Sequence, residues 1–154
     1  MFPPPALNAR EQTVAQEPEK PEGPLVSIVT ATYNASHLLR CAIKSVLQST
    51  LPDWELIVVG DHCTDDTEQV VAEFDDPRIR FYNLEANSGQ QATPNNFGVN
   101  MARGQYLCFL NQDDMFLRHH LETMVHEMRQ RSPDIICARY AVIEPFQSRC
   151  PAAE

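Results

Sequence analysis

The chain has 154 residues, of which 43% are apolar and 21% charged, and its formal net charge is −9. This length suits one packed domain and is short for two ordinary ones. The acidic balance and the absence of any Lys/Arg cluster in the sequence argue against a nucleic-acid partner, because proteins that follow phosphate backbones present a basic face. An acidic protein that binds a phosphate ligand needs backbone N–H groups or a divalent cation to offset the charge.

The N-terminal 24 residues differ from the rest in composition, since they hold six of the 12 prolines together with Glu, Gln and Lys. Such a segment buries too little apolar surface to offset its ordering entropy. We therefore predict a disordered leader over 1–24 and one ordered domain over 25–154. No apolar run approaches the ~18 residues of a membrane span. Five unclustered cysteines indicate a reduced, cytoplasmic compartment, with Cys41, Cys108 and Cys137 as free thiols.

From residue 25 onward, strand patterns alternate with helix patterns. Apolar, β-branched runs predict strands at residues 26–30, 55–59, 79–84 and 106–110, and a final apolar run spans 135–138. Apolar residues at helical spacing predict helices over 38–47, from about 64 to 74, over 96–102, and over 117–128. Ser36 or Asn34 is available as the N-cap of the first helix, and Pro52 ends it.

This alternation predicts an α/β fold of right-handed βαβ units, with a mostly parallel sheet flanked by helices on both faces. Ligands bind such sheets outside the carboxyl ends of the strands. Three polar clusters follow predicted strands: 32–34 (Thr-Tyr-Asn), 61–62 (Asp-His) and 111–114 (Asn-Gln-Asp-Asp). We expect them to meet at one edge of the sheet.

The paired carboxylates Asp113 and Asp114 allow three interpretations. They can lie in a solvated loop, with one of them capping a helix that starts near Phe116. They can hold Mg²⁺ or Mn²⁺, because hard cations prefer oxygen ligands and Mg²⁺ often takes only one or two carboxylates plus substrate phosphates. They can also share a proton for acid/base chemistry, which requires burial.

Two other strand-end residues are equally ambiguous. Asp61 can accept hydrogen bonds from the N–H groups of the following turn, or from the base or ribose of a ligand. Tyr33 can be an ordinary aromatic residue at a rim, or can stack on a base. The functional interpretation depends on the occurrence of all these residues at successive strand ends.

Three segments, VSIVTATYNASHLLRCAIKSVLQST, ELIVVGDHCTDDT and NSGQQATPNNFGVNMARGQYLCFLNQDD, resemble the donor-binding half of the family 2 glycosyltransferases, which have the GT-A fold. The resemblance runs from about Leu25 to Ala138. It implies a GT-A-like (Rossmann-like) sheet that is cut short on the acceptor side. It also implies transfer of a sugar from a nucleotide-diphosphate donor to an acceptor hydroxyl, usually with inversion, assisted by Mn²⁺ or Mg²⁺.

By resemblance, the donor-binding residues are Ala31, Thr32, Tyr33, Asp61, Asn95, Asn111 and Asp113. The loop 31–33 would contact the nucleobase and Asp61 would bond the base. Asp113 would be the metal-binding aspartate of the DxD motif, with Asp114 beside it. Asn111 replaces the first aspartate of that motif and keeps a hydrogen bond to the ribose, and Asn95 stands where many members have an arginine. Gly60 stands where a second aspartate is common.

The family's catalytic base lies beyond residue 154, so no residue is assigned that role, and Glu144 is interpreted as a solvated loop acid. The acceptor, whether glycan, lipid or protein, is not specified. An alternative is a truncated or degenerate module that binds the nucleotide sugar without turnover. A third hypothesis, an unrelated Rossmann-like nucleotidyltransferase or phosphate-binding regulator, is disfavoured because no glycine-rich phosphate loop follows the first strand.

Overall fold

The computed structural model describes residues 23–139 and 141. Its elements are β1 (Val26–Thr32), α1 (Ser36–Leu47), β2 (Trp54–Gly60), α2 (Thr67–Ala72), β3 (Ile79–Asn83), α3 (Ala92–Met101), β4 (Tyr106–Phe109) and α4 (His120–Arg131). The strands form one parallel sheet in the order β3-β2-β1-β4. The predicted α/β fold with a parallel sheet is confirmed.

The chain changes direction across the sheet once. It steps outward from β1 to β2 to β3, and then returns to place β4 on the other side of β1. Because βαβ crossovers are right-handed, this reversal puts α3 on the face opposite to α1 and α2. Accordingly, Leu39 of α1 and Val71 of α2 pack with Ile28, whereas Phe97 of α3 packs with Val29. The gap between β1 and β4 is a topological switch point.

The core has a large and a small part, one on each face of the sheet. Both β1 and β2 are buried along their whole length, as expected for central parallel strands. On the smaller face, Val29, Ile57 and Val59 are covered by α3. A Cβ added at Gly98 of α3 would lie 2.5 Å from Cγ1 of Val29, so this helix packs as closely as a glycine allows.

Strand β4 is covered less completely than β1 and β2. Leu107 and Phe109 are 44% and 52% exposed on the face that α3 covers elsewhere. Tyr106 and Cys108 point to the larger core instead. Burial raises the pKa of the Cys108 thiol to about 11, which makes it an inert packing group.

Several local predictions need correction. Helix α1 starts at Ser36 behind Ala35, without a side-chain cap from Ser36 or Asn34. Oδ1 of Asn34 accepts instead from the N–H of Thr64, 30 residues along the chain, at 2.8 Å. Long-range bonding therefore takes precedence over the local cap. Helix α3 begins at Ala92, four residues before the predicted start at 96.

Helix α4 begins at His120 rather than near Phe116, and Leu117 lies outside it with 85% exposure. The N–H of Phe116 donates to Oγ of Ser45 at 3.0 Å, and its ring stacks on His120 at 4.4 Å, so this residue is tied to other parts of the fold. The apolar run at 135–138 forms no strand in the described structure, and Ile135 is 79% exposed. An apolar run becomes a strand only where a neighbouring strand pairs with its backbone.

Cys63, Cys108 and Cys137 are free thiols, whereas Cys41 is disulfide-bonded. The prediction of a free thiol at Cys41 is therefore wrong. A sequence pattern indicates that a cysteine is buried but not whether it is paired. Across residues 23–139, no helix combines the length and apolar character needed to cross a membrane. Residues 1–22 of the predicted leader lie outside the described residues, so the boundary at residue 24 stays a prediction. The cytoplasmic location also stays a prediction.

Candidate functional site

A pocket of about 620 Å³ lies at the carboxyl ends of the strands. It is lined by Ala31, Thr32, Tyr33, Asp61, Asn87, Gly89, Gln90, Gln91, Pro94, Asn111, Gln112 and Asp113. These residues lie at the end of β1, in the segments that follow β1, β2, β3 and β4, or in the first turn of α3. The three polar clusters that the sequence places at strand ends therefore all contribute to one cavity, at the position expected for a ligand site in a parallel sheet.

The loop after β1 is tied to the loop after β4. Oγ1 of Thr32 donates to Oε1 of Gln112 at 2.7 Å, and the N–H of Tyr33 donates to the same oxygen at 3.0 Å. The Tyr33 side chain stands at the rim with 51% exposure. Its ring is thus available to stack on a flat ligand, as aromatic side chains do with nucleobases.

Asp61 is nearly buried, with 5% exposure, and its carboxylate is bonded to a loop. It accepts the N–H of Ser88 at 2.9 and 3.1 Å and the Ser88 hydroxyl at 3.0 Å. Asn87 donates to the backbone oxygen of Asp61 at 3.1 Å. The turn that bonds Asp61 is therefore the one after β3 and not the one that follows Asp61 directly. A carboxylate has about four acceptor positions, so capacity remains for a ligand donor.

The absence of an aspartate at Gly60, beside Asp61, has a steric reason. A Cβ at this position would lie 2.6 Å from Oδ1 of Asn83. Asn83 is held in place because it accepts from the N–H of Cys63 at 2.8 Å and donates to the Cys63 carbonyl at 2.9 Å. The end of β2 consequently has no room for a second carboxylate without displacement of this asparagine.

The two adjacent aspartates have different surroundings. Nδ2 of Asn111 donates to Oδ2 of Asp114 at 2.8 Å, and Oδ1 of Asn111 accepts from Nε2 of Gln91 at 2.8 Å. Asp113 is exposed and lines the pocket. Neither aspartate caps α4, whose N-cap position is His119, and both are too exposed for a shared proton.

The oxygen donors at this loop suit a hard cation. Among the described residues, no group of three or more His, Cys, Asp or Glu side chains is arranged to hold a metal ion. A cation held by Asp113 and Asp114 would need further ligands from a bound molecule or water, as Mg²⁺ commonly takes. Asn95 lies in the first turn of α3, half-buried, and is not among the residues that line the pocket.

The N-terminus of α1 is already occupied by carboxylates of the chain itself. Oδ2 of Asp65 accepts the N–H of Ser36 at 3.3 Å, and Oδ1 of Asp66 accepts the Ser36 hydroxyl at 2.5 Å. Partial burial raises the pKa of Asp65. Hydrogen bonds from Thr67 and from the Ser36 N–H lower this pKa by a larger amount, so the net shift is downward. An ionised Asp65 fills the position that a phosphate takes in dinucleotide-binding Rossmann folds. This counts against the third hypothesis, an unrelated Rossmann-like nucleotidyltransferase or phosphate-binding regulator.

From the sequence alone, no individual role is assigned to four of the residues that organise this pocket, although one of them, Gln112, belongs to the predicted cluster 111–114. They are Asn87, Ser88, Gln91 and Gln112. Gln112 lies between Asn111 and Asp113, which were both assigned to the site, so its position in the sequence already indicated that it lies near the pocket. Ser88 and Gln91 become visible only through partners 27 and 20 residues away.

A parallel sheet in this strand order, with a polar pocket at its switch point, is the architecture of a Rossmann-like domain. The sequence profile described as "Glycosyl transferase family 2" matches residues 27–152. The chain therefore belongs to glycosyltransferase family 2, and its sheet has the GT-A-like arrangement of its structural neighbours.

Three relatives show the extent of the similarity. The UDP-Glc:alpha-D-GlcNAc-diphosphoundecaprenol beta-1,3-glucosyltransferase WfgD of Escherichia coli is 34% identical over 119 residues, which are 77% of this chain and 47% of WfgD. S. aureus TarS 1-349 in complex with UDP-GlcNAc matches with a TM-score of 0.68 at 25% identity, over 70% of this chain and 32% of that 1-349 chain. The mannosyltransferase PcManGT of Pyrobaculum calidifontis, in complex with GDP-Man and Mn²⁺, shares the fold with a TM-score of 0.63 at 21% identity, over 69% of this chain and 32% of that protein. The chain spans less than half the length of the curated relatives it matches.

Proposed function

We propose that this chain is the donor-binding part of a glycosyltransferase. It binds a nucleotide-diphosphate sugar across the carboxyl ends of its strands, and the sugar is transferred to an acceptor hydroxyl with inversion. The observation that carries the proposal is that one cavity of about 620 Å³ is lined by Tyr33, Asp61 and Asp113, which the family resemblance assigns to the base and the diphosphate. The names of WfgD and of the TarS complex, both with UDP-sugars, support the ligand class.

The donor lies with its base beside the Tyr33 ring and within hydrogen-bond reach of Asp61. The backbone of Ala31 and Thr32 forms the wall on the base side. Asn111 binds the ribose. The diphosphate then lies toward Asp113. Asn95 belongs to the donor-binding set by resemblance alone, since it lies on α3 outside the pocket lining.

The pocket is acidic, so an anionic diphosphate needs an offsetting positive charge. Asp113 and Asp114 supply carboxylate oxygens for Mn²⁺ or Mg²⁺, and the remaining ligands come from the diphosphate. When bound, such a cation offsets the negative charge of the departing diphosphate. Asp114 is oriented by its hydrogen bond from Asn111, which leaves Asp113 as the freer of the two carboxylates.

In the transfer itself, an acceptor oxygen forms a bond to the anomeric carbon while the bond from that carbon to the diphosphate breaks. The proton of the acceptor hydroxyl passes to a base. Both carboxylates that line the pocket, Asp61 and Asp113, have donor-side roles in this proposal, so neither is assigned as that base.

Calorimetric titration of UDP and GDP into the purified chain, with and without Mn²⁺, tests the proposal. One nucleotide should bind more tightly with Mn²⁺, and Asp113→Ala should remove most of that gain, because a charge-assisted contact to the cation is lost. Asp134→Ala is the matched control, since Asp134 is an exposed acid outside the pocket. If neither nucleotide binds under any condition, or if Asp113→Ala keeps the full Mn²⁺ dependence, the proposed donor site is wrong.

A further inference from the structure

We infer that Gln112 is a positioning residue for nucleotide binding. Its carboxamide connects the loop after β1 to the loop after β4 across the switch point of the sheet; we call this pair of hydrogen bonds the Gln112 bridge. The inference rests on the proposed function and extends it, because it assigns a role to a residue that the family resemblance does not include in the site.

The Gln112 bridge consists of two hydrogen bonds to one oxygen. Oε1 of Gln112 accepts from the Thr32 hydroxyl at 2.7 Å and from the Tyr33 N–H at 3.0 Å. A backbone N–H can only donate, so the bond from Tyr33 defines which end of the carboxamide is the oxygen. The partners are 80 and 79 residues apart in sequence, so the bridge joins two loops that share no local connection.

The backbone near Tyr33 explains why such a bridge is useful. Tyr33 is the first residue after β1, and Asn34 directly after it has a φ of 46°, in the left-handed region that non-glycine residues rarely adopt. The strand pairing therefore ends just before a sharp turn. The Tyr33 ring is 51% exposed at the rim, so its position is set largely by its own backbone.

Gln112 also adjoins Asp113 in the chain, and both line the pocket. One side chain thus fixes the position of the base-side aromatic residue relative to the phosphate-side carboxylate. Ordering these two loops before the ligand arrives reduces the entropy lost on binding. The Nε2 group of Gln112 donates to no other described residue, so two N–H donors remain for a ligand oxygen.

A purely structural role predicts something different from a positioning role. A structural bridge would change the free energy of unfolding while the folded chain bound nucleotide with unchanged affinity. A positioning role predicts weaker nucleotide binding by the folded chain. It also predicts the same relative loss with and without Mn²⁺, because the two bonds that are lost hold Thr32 and Tyr33 on the base side, while Asp113 keeps its carboxylate.

The test uses Gln112→Met, which keeps the side-chain length and removes the acceptor, and Gln112→Glu, which keeps an acceptor oxygen. Gln69→Met is the matched control, because Gln69 is exposed on α2 and does not line the pocket. Amide hydrogen exchange of Tyr33 reports on the bridge, and titration of UDP and GDP with and without Mn²⁺ reports on the ligand.

We expect faster exchange at Tyr33 in Gln112→Met and near wild-type exchange in Gln112→Glu and Gln69→Met. Affinity for the nucleotide should fall roughly five- to tenfold in Gln112→Met, the effect of about one net hydrogen bond, by the same factor with and without Mn²⁺. Unchanged exchange, unchanged affinity, or a loss seen only with Mn²⁺ in folded Gln112→Met overturns the inference and leaves the proposed function intact. A wild-type chain that binds neither nucleotide overturns the proposed function itself, so the two failures are distinguishable.

Discussion

The two ends of the sheet carry carboxylates in opposite situations. At the amino end, Glu55 is 2% exposed and accepts from the hydroxyl of Ser27 at 2.7 Å, from Arg80 at 2.7 Å and from the backbone N–H of Arg103 at 2.8 Å. At the carboxyl end, Asp113 is exposed at the wall of a pocket. A carboxylate whose acceptor positions are filled by the protein holds the fold together, whereas one that keeps them open is available to a ligand.

The amino-end cluster also connects distant elements. Arg80 donates to the backbone oxygen of Met101 at the end of α3 at 2.8 Å, and Arg103 lies in the link from α3 to β4. Burial raises the pKa of Glu55, but hydrogen bonds from Ser27 and Arg103 and the charge of Arg80 lower it by more, so the net shift is downward. Glu55 is therefore ionised at neutral pH and anchors the chain as it enters β4.

The largest expected effect is that of Glu55→Ala on stability. Removal of one partner of a buried ion pair leaves the other charge uncompensated, which typically destabilises by roughly 3–5 kcal/mol. We expect the lower end, about 3 kcal/mol, because Arg103 is 63% exposed and can turn to water. Urea denaturation measures the free energy of unfolding.

Two control variants show whether the loss of stability in Glu55→Ala is specific to the amino end of the sheet. Glu85→Ala removes an exposed loop acid and should change stability by less than about 0.5 kcal/mol, as should Asp113→Ala. Nucleotide affinity of folded Glu55→Ala should equal that of the wild type. A loss of stability in Asp113→Ala as large as that in Glu55→Ala would show that the two ends are not functionally distinct.

An intermediate effect is expected when the loop after β4 is given a third carboxylate, beside Asp113 and Asp114. Asn111→Asp replaces the N–H donor that lies 2.8 Å from Asp114 with a negative oxygen, and a cation relieves the resulting repulsion. We expect Mn²⁺ alone, without nucleotide, to bind this variant about tenfold more tightly than the wild type, equivalent to roughly 1.4 kcal/mol. Calorimetry with MnCl₂ measures it. Asn96→Asp, an exposed change of the same charge on α3, should show no such gain, and equal affinities would contradict the assignment of this loop to a cation.

The smallest expected effect is a pH dependence of stability. Because the pKa of Glu55 in the folded chain lies below its ordinary value of 4.5, its stabilising contribution is present above that value and is lost as pH falls through the folded pKa. The free energies of unfolding of the wild type and of Glu55→Gln should therefore converge as the pH falls from about 5 to about 3. A constant difference over this range would mean that Glu55 does not gain its stability as an anion.

Much of the fold follows from local pattern. The strand runs at 26–30 and 55–59 and the helical spacing over 38–47 lie within the elements observed, because burial on one or both faces leaves a periodic trace in the sequence. The start of α4 and the conformation of residues 135–138 did not follow from pattern. Phe116 is held by Ser45, and no described strand pairs with the last apolar run, so both outcomes depend on parts of the chain that are distant in sequence.

For the site, the sequence alone determined which polar residues end the strands, and the parallel topology then required them to share one edge. Residues such as Tyr33, Asp61 and Asp113 could therefore be named in advance. Only the tertiary structure decided how such residues are supported: Asp61 by Ser88, Tyr33 by Gln112, and Asn111 by Gln91. The physical reason is that side-chain hydrogen bonds between loops depend on where the packed sheet brings those loops together, and no local periodicity encodes that distance.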